Sequence, residues 1–286
     1  MSPSMQCQRS PYGETTRPYL PNLSNLKRQI SRVILRNGKC NETSVMTWES
    51  LKILAVVPAR GGSQGIPRKN LSHVGGLSLI GHAAKVATAL PWIDHAIIST
   101  DDAEMLEEGK RYGLEAPFVR PSELAQDLTS AAETWRHAWF TCEDYYHCRF
   151  DLSIWLQPTT PLRTPEEVEQ TVRALVEGKH HAAATVSRVP GHFTPQKILT
   201  LNKEGVLQYF DQAGANHTAR QTIPSYYYRN GLCYAVTRST LLEKGSIIEE
   251  DCVGVIIDRP LVNIDDPIEL AFANLLHQST LNPILT

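Results

Sequence analysis

The chain has 286 residues, a formal net charge of −2 and the composition of an ordinary soluble protein. Such a charge provides no general attraction to nucleic acid or anionic lipid, so any polyanion must be bound at a local site. No apolar run approaches the roughly 18 residues that a membrane span requires. The sequence therefore predicts neither a nucleic-acid partner nor a membrane partner, and its length suits one large α/β domain or two small ones.

Residues 1–50 differ in composition from the rest of the chain. They contain seven Lys or Arg residues against three Asp or Glu residues, with many Ser, Thr, Asn and Pro. This composition predicts a disordered or dispensable leader. The alternative is a short basic amphipathic helix, indicating a transit peptide or a membrane-surface contact, with its apolar positions at Leu23, Leu26, Ile30, Val33 and Ile34.

The six cysteines are scattered and include no C-x-x-C pair. This pattern predicts reduced thiols of a cytoplasmic protein. A metal site formed by Cys142, His147 and Cys148 is the alternative interpretation.

The stretch Pro58–Asn70, which we call the glycine-rich loop, follows an apolar segment, Ile53–Val57, that is typical of a buried parallel strand. Glycines let several backbone amides point toward one anion, and Arg60, Arg68 and Lys69 add positive charge. The spacing matches neither the P-loop nor the dinucleotide-binding pattern. The loop therefore predicts a polyphosphate site, and the alternative is an ordinary turn with solvated charges.

Short apolar strands alternate with helical patterns along most of the chain. The strands are predicted at 53–57, 94–100, 115–119, 151–156, 182–187, 226–236, 252–258 and 261–264. This alternation predicts an α/β fold with a doubly wound, mostly parallel sheet. Residues 188–227 interrupt it with a predicted hairpin, which indicates a lid or a dimerisation arm.

Two carboxylates are predicted at strand ends near the glycine-rich loop. Asp101 follows the second strand and Asp265 follows the last. Mg²⁺ takes one or two carboxylates together with substrate phosphate oxygens, so the pair predicts a magnesium site. The alternative for Asp101 is a helix N-cap, whereas Asp266 already provides the cap beside Asp265. At another strand end, Gln157 and Arg163 are candidates for binding hydroxyl or carboxylate groups.

The motifs ARGGSQGIPRKN, STDD, RPSELAQD, LQPTTPLR and VNIDDP occur in this order, with Arg220 and Asn230-Gly231 before the last of them. Over roughly residues 52–278 the chain resembles the acylneuraminate cytidylyltransferases, the CMP-sialic acid synthetase family. The resemblance implies a nucleotide-diphospho-sugar transferase-like fold at 51–280 and a homodimer. It also implies that CTP and an acidic nine-carbon keto sugar react to give the CMP-sugar and pyrophosphate.

The resemblance implies a role for each residue at a matching position. The expected nucleotide-binding residues are Ala59, Arg60, Gly62, Ser63, Lys69, Asn70, Arg120 and Asp127. The expected sugar-binding residues are Gln157, Arg163, Arg220 and Asn230. The expected Mg²⁺ ligands are Asp265 and Asp101, and the catalytic residues are Arg60, Gln64 and Lys69. These groups would stabilise charge while the anomeric hydroxyl attacks the α-phosphate in line.

The chain departs from the family pattern at three places. One is Tyr228-Arg229 before Asn230-Gly231, where members that use sialic acid often have an Arg. Gln64 stands where the family generally has Lys, and we expect Arg68 to replace that charge. Asn263 stands where the family has the first of two paired aspartates. These departures leave two alternatives open: an enzyme for KDO or another sugar, and a catalytically silent protein that binds the nucleotide or the sugar.

Overall fold

A six-stranded sheet forms the centre of the fold. The structure is a computed structural model that describes residues 50–212, 223–248 and 251–281. Its strands in chain order are β1 (Ile53–Pro58), β2 (His73–Val74), β3 (Leu77–Ser78), β4 (His95–Ser99), β5 (Leu152–Trp155), β6 (Ala182–Arg188), β7 (Leu199–Leu201), β8 (Leu207–Tyr209), β9 (Tyr227–Thr237) and β10 (Cys252–Ile256). The predicted leader, residues 1–50, lies outside the described residues except for Ser50.

The main sheet has the strand order β10-β6-β9-β5-β1-β4. The pairs β1–β4, β1–β5 and β6–β10 are parallel, whereas β9 is antiparallel to both β5 and β6. The predicted mostly parallel sheet is therefore confirmed. Its central strand β1 is fully buried from Ile53 to Val57, because both faces of the sheet are covered.

Five helices cover the sheet: α1 (Leu79–Ala89), α2 (Ala103–Arg111), α3 (Ala131–Tyr146), α4 (Pro165–Glu177) and α5 (Pro267–Leu281). Helices α1, α2 and α4 pack on one face of the sheet, and α3 packs on the other through Trp135 and Trp139. Helix α5 covers a smaller cluster that contains Val262 and Ile264. Helices on both faces give the doubly wound arrangement that the sequence predicts.

The predicted N-caps of two helices are confirmed. The Thr164 hydroxyl accepts a hydrogen bond from the Glu167 amide, and the Glu167 carboxylate accepts one from the Thr164 amide. These two bonds form a capping box, with Pro165 at the first helical position. The same reciprocal bonds join Asp266 and Glu269 at the start of α5. These caps fix the first turns of α4 and α5, which follow the loops after β5 and β10.

Two predicted strands are wrong. The segment 115–119 makes a single parallel bridge, between Glu115 and Ile97, because Pro117 has no amide to continue a ladder. The segment 261–264 lies outside the sheet, and its Ile264 amide donates to the Thr159 carbonyl at 2.8 Å. The alternating apolar residues of that segment arise from burial beneath α5. The helix predicted at 239–244 is a five-residue π turn, Ser239–Glu243.

The predicted hairpin is present as β7–β8, which we call the arm. Its register pairs Leu199 with Tyr209 and Leu201 with Leu207. These four side chains lie on one face of the ribbon, and all four are exposed. Within residues 50–212, 223–248 and 251–281, no other segment buries this apolar face of the arm. A two-stranded ribbon is only marginally stable by itself in water.

None of the helices in the described part of the chain combines the length and the apolar character needed to cross a bilayer.

Candidate active site

A cavity of about 590 Å³ opens at the carboxyl ends of β1 and β5. Pro58 and Arg60 line it after β1, and Gln157 and Pro158 line it after β5. Asp265, from the segment before α5, completes this side of the wall. Ligands of open α/β sheets bind at such strand ends, so the cavity is the candidate active site.

The glycine-rich loop is held in place by a bond to the end of β4 and by a bond within the loop. The Ala59 amide donates to the Ser99 carbonyl at 3.0 Å, and the Asn70 side chain donates to the Arg60 carbonyl at 3.2 Å. At Gly65 an ideal Cβ would lie 2.2 Å from the Asp265 carbonyl oxygen. Glycine alone permits this approach, which brings Asp265 against the loop from a distant part of the chain.

Most of the predicted loop residues line the cavity. Those that line it are Arg60, Ser63, Gln64, Lys69 and Asn70. Ala59 is buried beside the wall, and Gly62 is exposed with no atom within 4 Å of an ideal Cβ. Nucleotide contacts by Ala59 and Gly62 therefore stay predictions.

Two cations of the cavity are paired with carboxylates. Arg60 Nη1 lies 2.8 Å from Asp127 Oδ1, and Gln64 donates to the other oxygen of Asp127. Lys69 Nζ lies 2.7 Å from Asp265 Oδ1. The side chains of Asp127 and Asp265 are 50% and 72% exposed, so both pairs contribute little to stability. A polyphosphate can therefore replace either carboxylate at low cost.

Arg120 is a third cation of the cavity, and it is held rigidly. Its Nε donates to the Ser99 hydroxyl at 3.1 Å, and its Nη2 donates to the Ser99 carbonyl. Burial lowers the pKa of Arg120 to about 10, Asp101 opposes that shift, and Arg60 adds to it. The guanidinium is still charged at neutral pH, so it presents a fixed and poorly solvated positive charge to the cavity.

Asp101 supports the loop and is not among the residues that line the cavity. Its Oδ1 accepts the Gly61 amide at 2.9 Å, and its charge opposes the pKa shift of Arg120. The N-cap of α2, which was the alternative for Asp101, is provided by Asp102. Mg²⁺ binding by Asp101 stays a prediction, and the cavity gives it no support.

Arg68 does not replace the charge that is absent at Gln64, so that expectation is wrong. Its guanidinium lies 2.9 Å from both Asp102 and Glu104, at the start of α2. The backbone of Arg68 is left-handed, with φ of 52°, and Arg68 is not among the cavity residues. Gln64 itself lines the cavity, as predicted.

The predicted sugar-binding residues separate in the structure. Gln157 lines the cavity. Asn230 is buried, and its Oδ1 accepts the Thr185 hydroxyl at 2.7 Å and the Leu232 amide at 3.1 Å. Its Nδ2 donates to Ser187 at 3.1 Å. Three of the four hydrogen-bonding positions of this buried amide are used inside the sheet, so a sugar contact by Asn230 has no support from the cavity and stays a prediction. Arg220 lies outside the described residues.

Arg163 also does not line the cavity. It is 5% exposed, and its Nη2 donates to the Gln157 carbonyl. Its Nε and Nη1 have no hydrogen-bond partner within the described part of the chain. Burial lowers the pKa of this guanidinium to about 10. Arg163 therefore holds the chain at Gln157 through the backbone carbonyl, and the predicted contact with the sugar stays a prediction that the cavity does not support.

Sequence reasoning missed several side chains of the wall. Those that line the cavity without having been predicted include Gln126, Thr129, Thr134 and Trp155. Gln126 and Thr129 flank Asp127, and Trp155 ends a buried strand. These positions, close to a motif residue or at a strand end, were the available signal for those three residues, whereas Thr134 lies within α3 and had no such signal.

Asp265 is the carboxylate best suited to bind Mg²⁺. It lines the cavity, is largely exposed and lies against the glycine-rich loop. Residues 50–212, 223–248 and 251–281 contain no group of three or more His, Cys, Asp or Glu side chains that could hold a metal. A hard cation that takes one or two carboxylates and then phosphate oxygens does not need such a group, so the site fits Mg²⁺ bound together with a nucleotide.

A cationic loop after β1 and a carboxylate that lies against it in the same cavity are the parts of a nucleotidyltransferase site. A family model described as cytidylyltransferase matches residues 54–248 of the chain. The chain belongs to this cytidylyltransferase family and is a nucleotidyltransferase.

Two relatives have names of this class, and a solved structure shares the fold. The chain is 29% identical over 231 residues to the pseudaminic acid cytidylyltransferase of Campylobacter jejuni, covering 80% of this chain and 97% of the relative. It is 28% identical over 235 residues to the CMP-N,N'-diacetyllegionaminic acid synthase of Legionella pneumophila, covering 79% and 96%. A CMP:2-keto-3-deoxy-manno-octonic acid synthetase complexed with CTP shares the fold, with a TM-score of 0.59, 18% identity and coverage of 80% and 99%. The family resemblance predicted from the motifs is confirmed.

Proposed function

We propose that this protein transfers CMP from CTP to the anomeric hydroxyl of a nonulosonic, sialic-type acid and releases pyrophosphate. The observation that carries the proposal is the pairing of Lys69 with Asp265 in a cavity that Arg60 and Arg120 also line. This arrangement combines cations for a triphosphate with a carboxylate for its metal. The names of the two relatives support an acidic keto sugar as the acceptor.

In this mechanism the triphosphate of CTP lies along the glycine-rich loop. Arg60 and Lys69 exchange their carboxylate partners for phosphate oxygens, and the new bonds are charge-assisted. Arg120 adds a positive charge that needs no reorganisation, because the sheet already holds it. Mg²⁺, held by Asp265, would neutralise charge on the leaving pyrophosphate.

Gln157, which lines the cavity after β5, would orient the sugar acid. The anomeric hydroxyl loses its proton to water, its oxygen forms a bond to the α-phosphorus, and the bond from that phosphorus to pyrophosphate breaks. Positioning and fixed charge provide the catalysis, and no covalent enzyme intermediate is required.

A panel of sugar acids tests the proposal. The protein, CTP and Mg²⁺ are mixed with nonulosonic acids, with KDO or with no sugar, and pyrophosphate is measured. We expect release with at least one nonulosonic acid and none without sugar. Release with KDO alone would show that the substrate is KDO and not a nonulosonic acid. CTP binding without pyrophosphate release would favour a catalytically silent binding protein, the alternative that Gln64 and Asn263 motivate.

We also propose that residues 51–280 form the catalytic domain with a dispensable leader, and that the protein acts in the cytoplasm. The described cysteines Cys142, Cys148, Cys233 and Cys252 are free thiols, which is compatible with a reducing compartment.

We propose that the arm joins two copies of the chain. Its apolar face, formed by Leu199, Leu201, Leu207 and Tyr209, is exposed. An identical face on a second copy would cover it, as a two-fold interface requires. The opposite face carries Thr200 and Gln208, which are paired across the ribbon and suit solvent.

Leu201→Glu is expected to convert the dimer to a monomer, because it places a charge in the apolar face of the arm. Thr200→Glu is the matched control, since the neighbouring side chain lies on the polar face. Sedimentation equilibrium measures the mass of each protein. A monomeric unmodified protein, or a Leu201→Glu variant that stays dimeric, would contradict this role of the arm.

Gln64→Lys is expected to keep the kcat/KM for CTP or to raise it by up to about tenfold, because a charge would face the triphosphate. Steady-state kinetics with varied CTP measure the change. Gln170→Lys, on the exposed surface of α4, controls for the added charge. A collapse of CTP binding in Gln64→Lys alone would show that Gln64 does not face phosphate.

A further inference from the structure

A bridge formed by Asp127 joins two separate segments of the cavity wall. Its Oδ1 lies 2.8 Å from Arg60 Nη1, and its Oδ2 accepts a hydrogen bond from the Gln64 side-chain amide. Arg60 and Gln64 belong to the glycine-rich loop, whereas Asp127 lies in the connection between α2 and α3. All three residues line the cavity, so the Asp127 bridge uses a cation that the triphosphate also needs.

Asp127 lies on a short, exposed turn. The Thr129 amide donates to the Gln126 carbonyl at 3.2 Å, which places Asp127 and Leu128 at the central positions of the turn. Leu128 is 97% exposed, and Gln126 and Asp127 are exposed too. The connection becomes fixed again at Ser130, whose hydroxyl caps α3. The turn can therefore move away from the glycine-rich loop without disturbing the core.

The carboxylate of Asp265 also pairs with a cation of the cavity, but its backbone is held on both sides. The Asp265 amide donates to Glu269 Oε2 at 2.6 Å, and the Asp265 carbonyl oxygen would lie 2.2 Å from an ideal Cβ at Gly65. Asp265 is therefore fixed beside Lys69, as a proposed metal ligand requires. The exposed turn of Asp127 leaves its carboxylate freer to change partners.

The charges of the cavity indicate which carboxylate opposes a triphosphate. The described wall includes three cations and two carboxylates, and so has a formal net charge of +1: Arg60, Lys69, Arg120, Asp127 and Asp265. Mg²⁺ bound at Asp265 would compensate that carboxylate. A phosphate oxygen that takes Arg60 leaves the Asp127 carboxylate without its cation, and like charges a few ångströms apart repel. Asp127 therefore competes with the triphosphate for Arg60.

We propose that Asp127 is a gating residue of the phosphate site. Asp127 releases Arg60 when a triphosphate binds, its turn moves into solvent, and it takes Arg60 back as pyrophosphate leaves. The Asp127 bridge suits this exchange because an exposed ion pair is weak enough to open. The inference rests on the triphosphate substrate of the proposed function and is independent of the identity of the sugar.

Asp127→Asn tests the gate because asparagine keeps the size of the side chain and a carbonyl oxygen but removes the charge. Inorganic tripolyphosphate and pyrophosphate, each without Mg²⁺, are the probes, since neither has a ribose or a base that Asp127 could contact. We expect the Kd of each anion to fall about threefold to tenfold. Isothermal titration calorimetry measures the Kd, and thermal unfolding checks that the fold is kept.

Glu123→Gln is the matched control, since it removes a negative charge from an exposed residue of the same connection that is not among the cavity residues. We expect its Kd for each anion to stay within about twofold of that of the unmodified protein. The advantage of Asp127→Asn is also expected to shrink when NaCl is raised to about 0.5 M, because salt screens the competition between exposed charges. A loss of local structure alone would not give tighter binding with this salt dependence.

Two results would overturn the gate. The first is unchanged, weaker or absent binding of either anion by Asp127→Asn, which would mean that Asp127 does not compete with phosphate for Arg60. The second is equal tightening in Asp127→Asn and Glu123→Gln, which would indicate an effect of overall charge. The sugar panel reports on the proposed function separately. Failure to release pyrophosphate with any acid would contradict that function, whereas tighter tripolyphosphate binding by Asp127→Asn would still support the gate.

Discussion

Asp265→Asn is expected to lower kcat by about 10³-fold or more, because it removes the carboxylate proposed to hold Mg²⁺ against the pyrophosphate. The substitution keeps the size of the side chain, and Asp265 is largely exposed, so the fold is expected to stay intact. The measurements are pyrophosphate release at saturating CTP and sugar across a Mg²⁺ titration, and thermal unfolding.

Asp266→Asn is the matched control for this prediction. It removes the neighbouring charge but keeps an N-cap, since asparagine also accepts the Glu269 amide. We expect nearly unchanged activity. Full activity in Asp265→Asn, or equal loss in both variants, would remove the metal assignment from Asp265.

Lys69→Met is expected to lower kcat/KM for CTP by about 10²-fold to 10³-fold, the usual effect of removing one charge-stabilising donor. The Lys69 side chain is 14% exposed and lines the cavity, so its position is fixed at the wall that the triphosphate would contact. Methionine keeps the aliphatic length without the charge. Steady-state kinetics with varied CTP provide the measurement.

Arg68→Met is the control because Arg68 is adjacent, exposed and paired with Asp102 and Glu104 outside the cavity. We expect its kcat/KM to stay within about threefold of the unmodified protein, since exposed ion pairs contribute little. An equal loss in Lys69→Met and Arg68→Met would mean that the loop responds to its total charge and not to a specific contact of Lys69.

The parts of the fold that are set by local periodicity could be predicted from the sequence. Ile53–Val57 has no polar alternation, which identifies a strand covered on both faces, and Thr164-Pro165 and Asp266-Pro267 mark helix starts. The segment 261–264 could not be distinguished from a strand, because burial beneath α5 gives the same alternation as a sheet. The β2–β3 hairpin, with two-residue strands around Gly75-Gly76, is too short to give a period.

The residues of the candidate site also divide into those that the sequence could predict and those that it could not. The motifs identified Arg60, Lys69, Gln157 and Asp265, all of which line the cavity. The direction of each side chain depends on contacts far along the chain. Arg68 pairs with Asp102 and Glu104 at the start of α2, and Asn230 bonds to Thr185 and Ser187 in the adjacent strand. Neither contact has a local sequence signal.

Transfer of the α-phosphate of CTP is the central claim, and labelled nucleotide tests it directly. CTP labelled at the α-phosphorus is incubated with the protein, Mg²⁺ and the most active acid of the panel, and the products are separated. The account predicts that the label appears in a CMP-sugar acid, with one unlabelled pyrophosphate released for each ester formed. Label that stays in CTP, or that leaves as free CMP without a sugar ester, would contradict it.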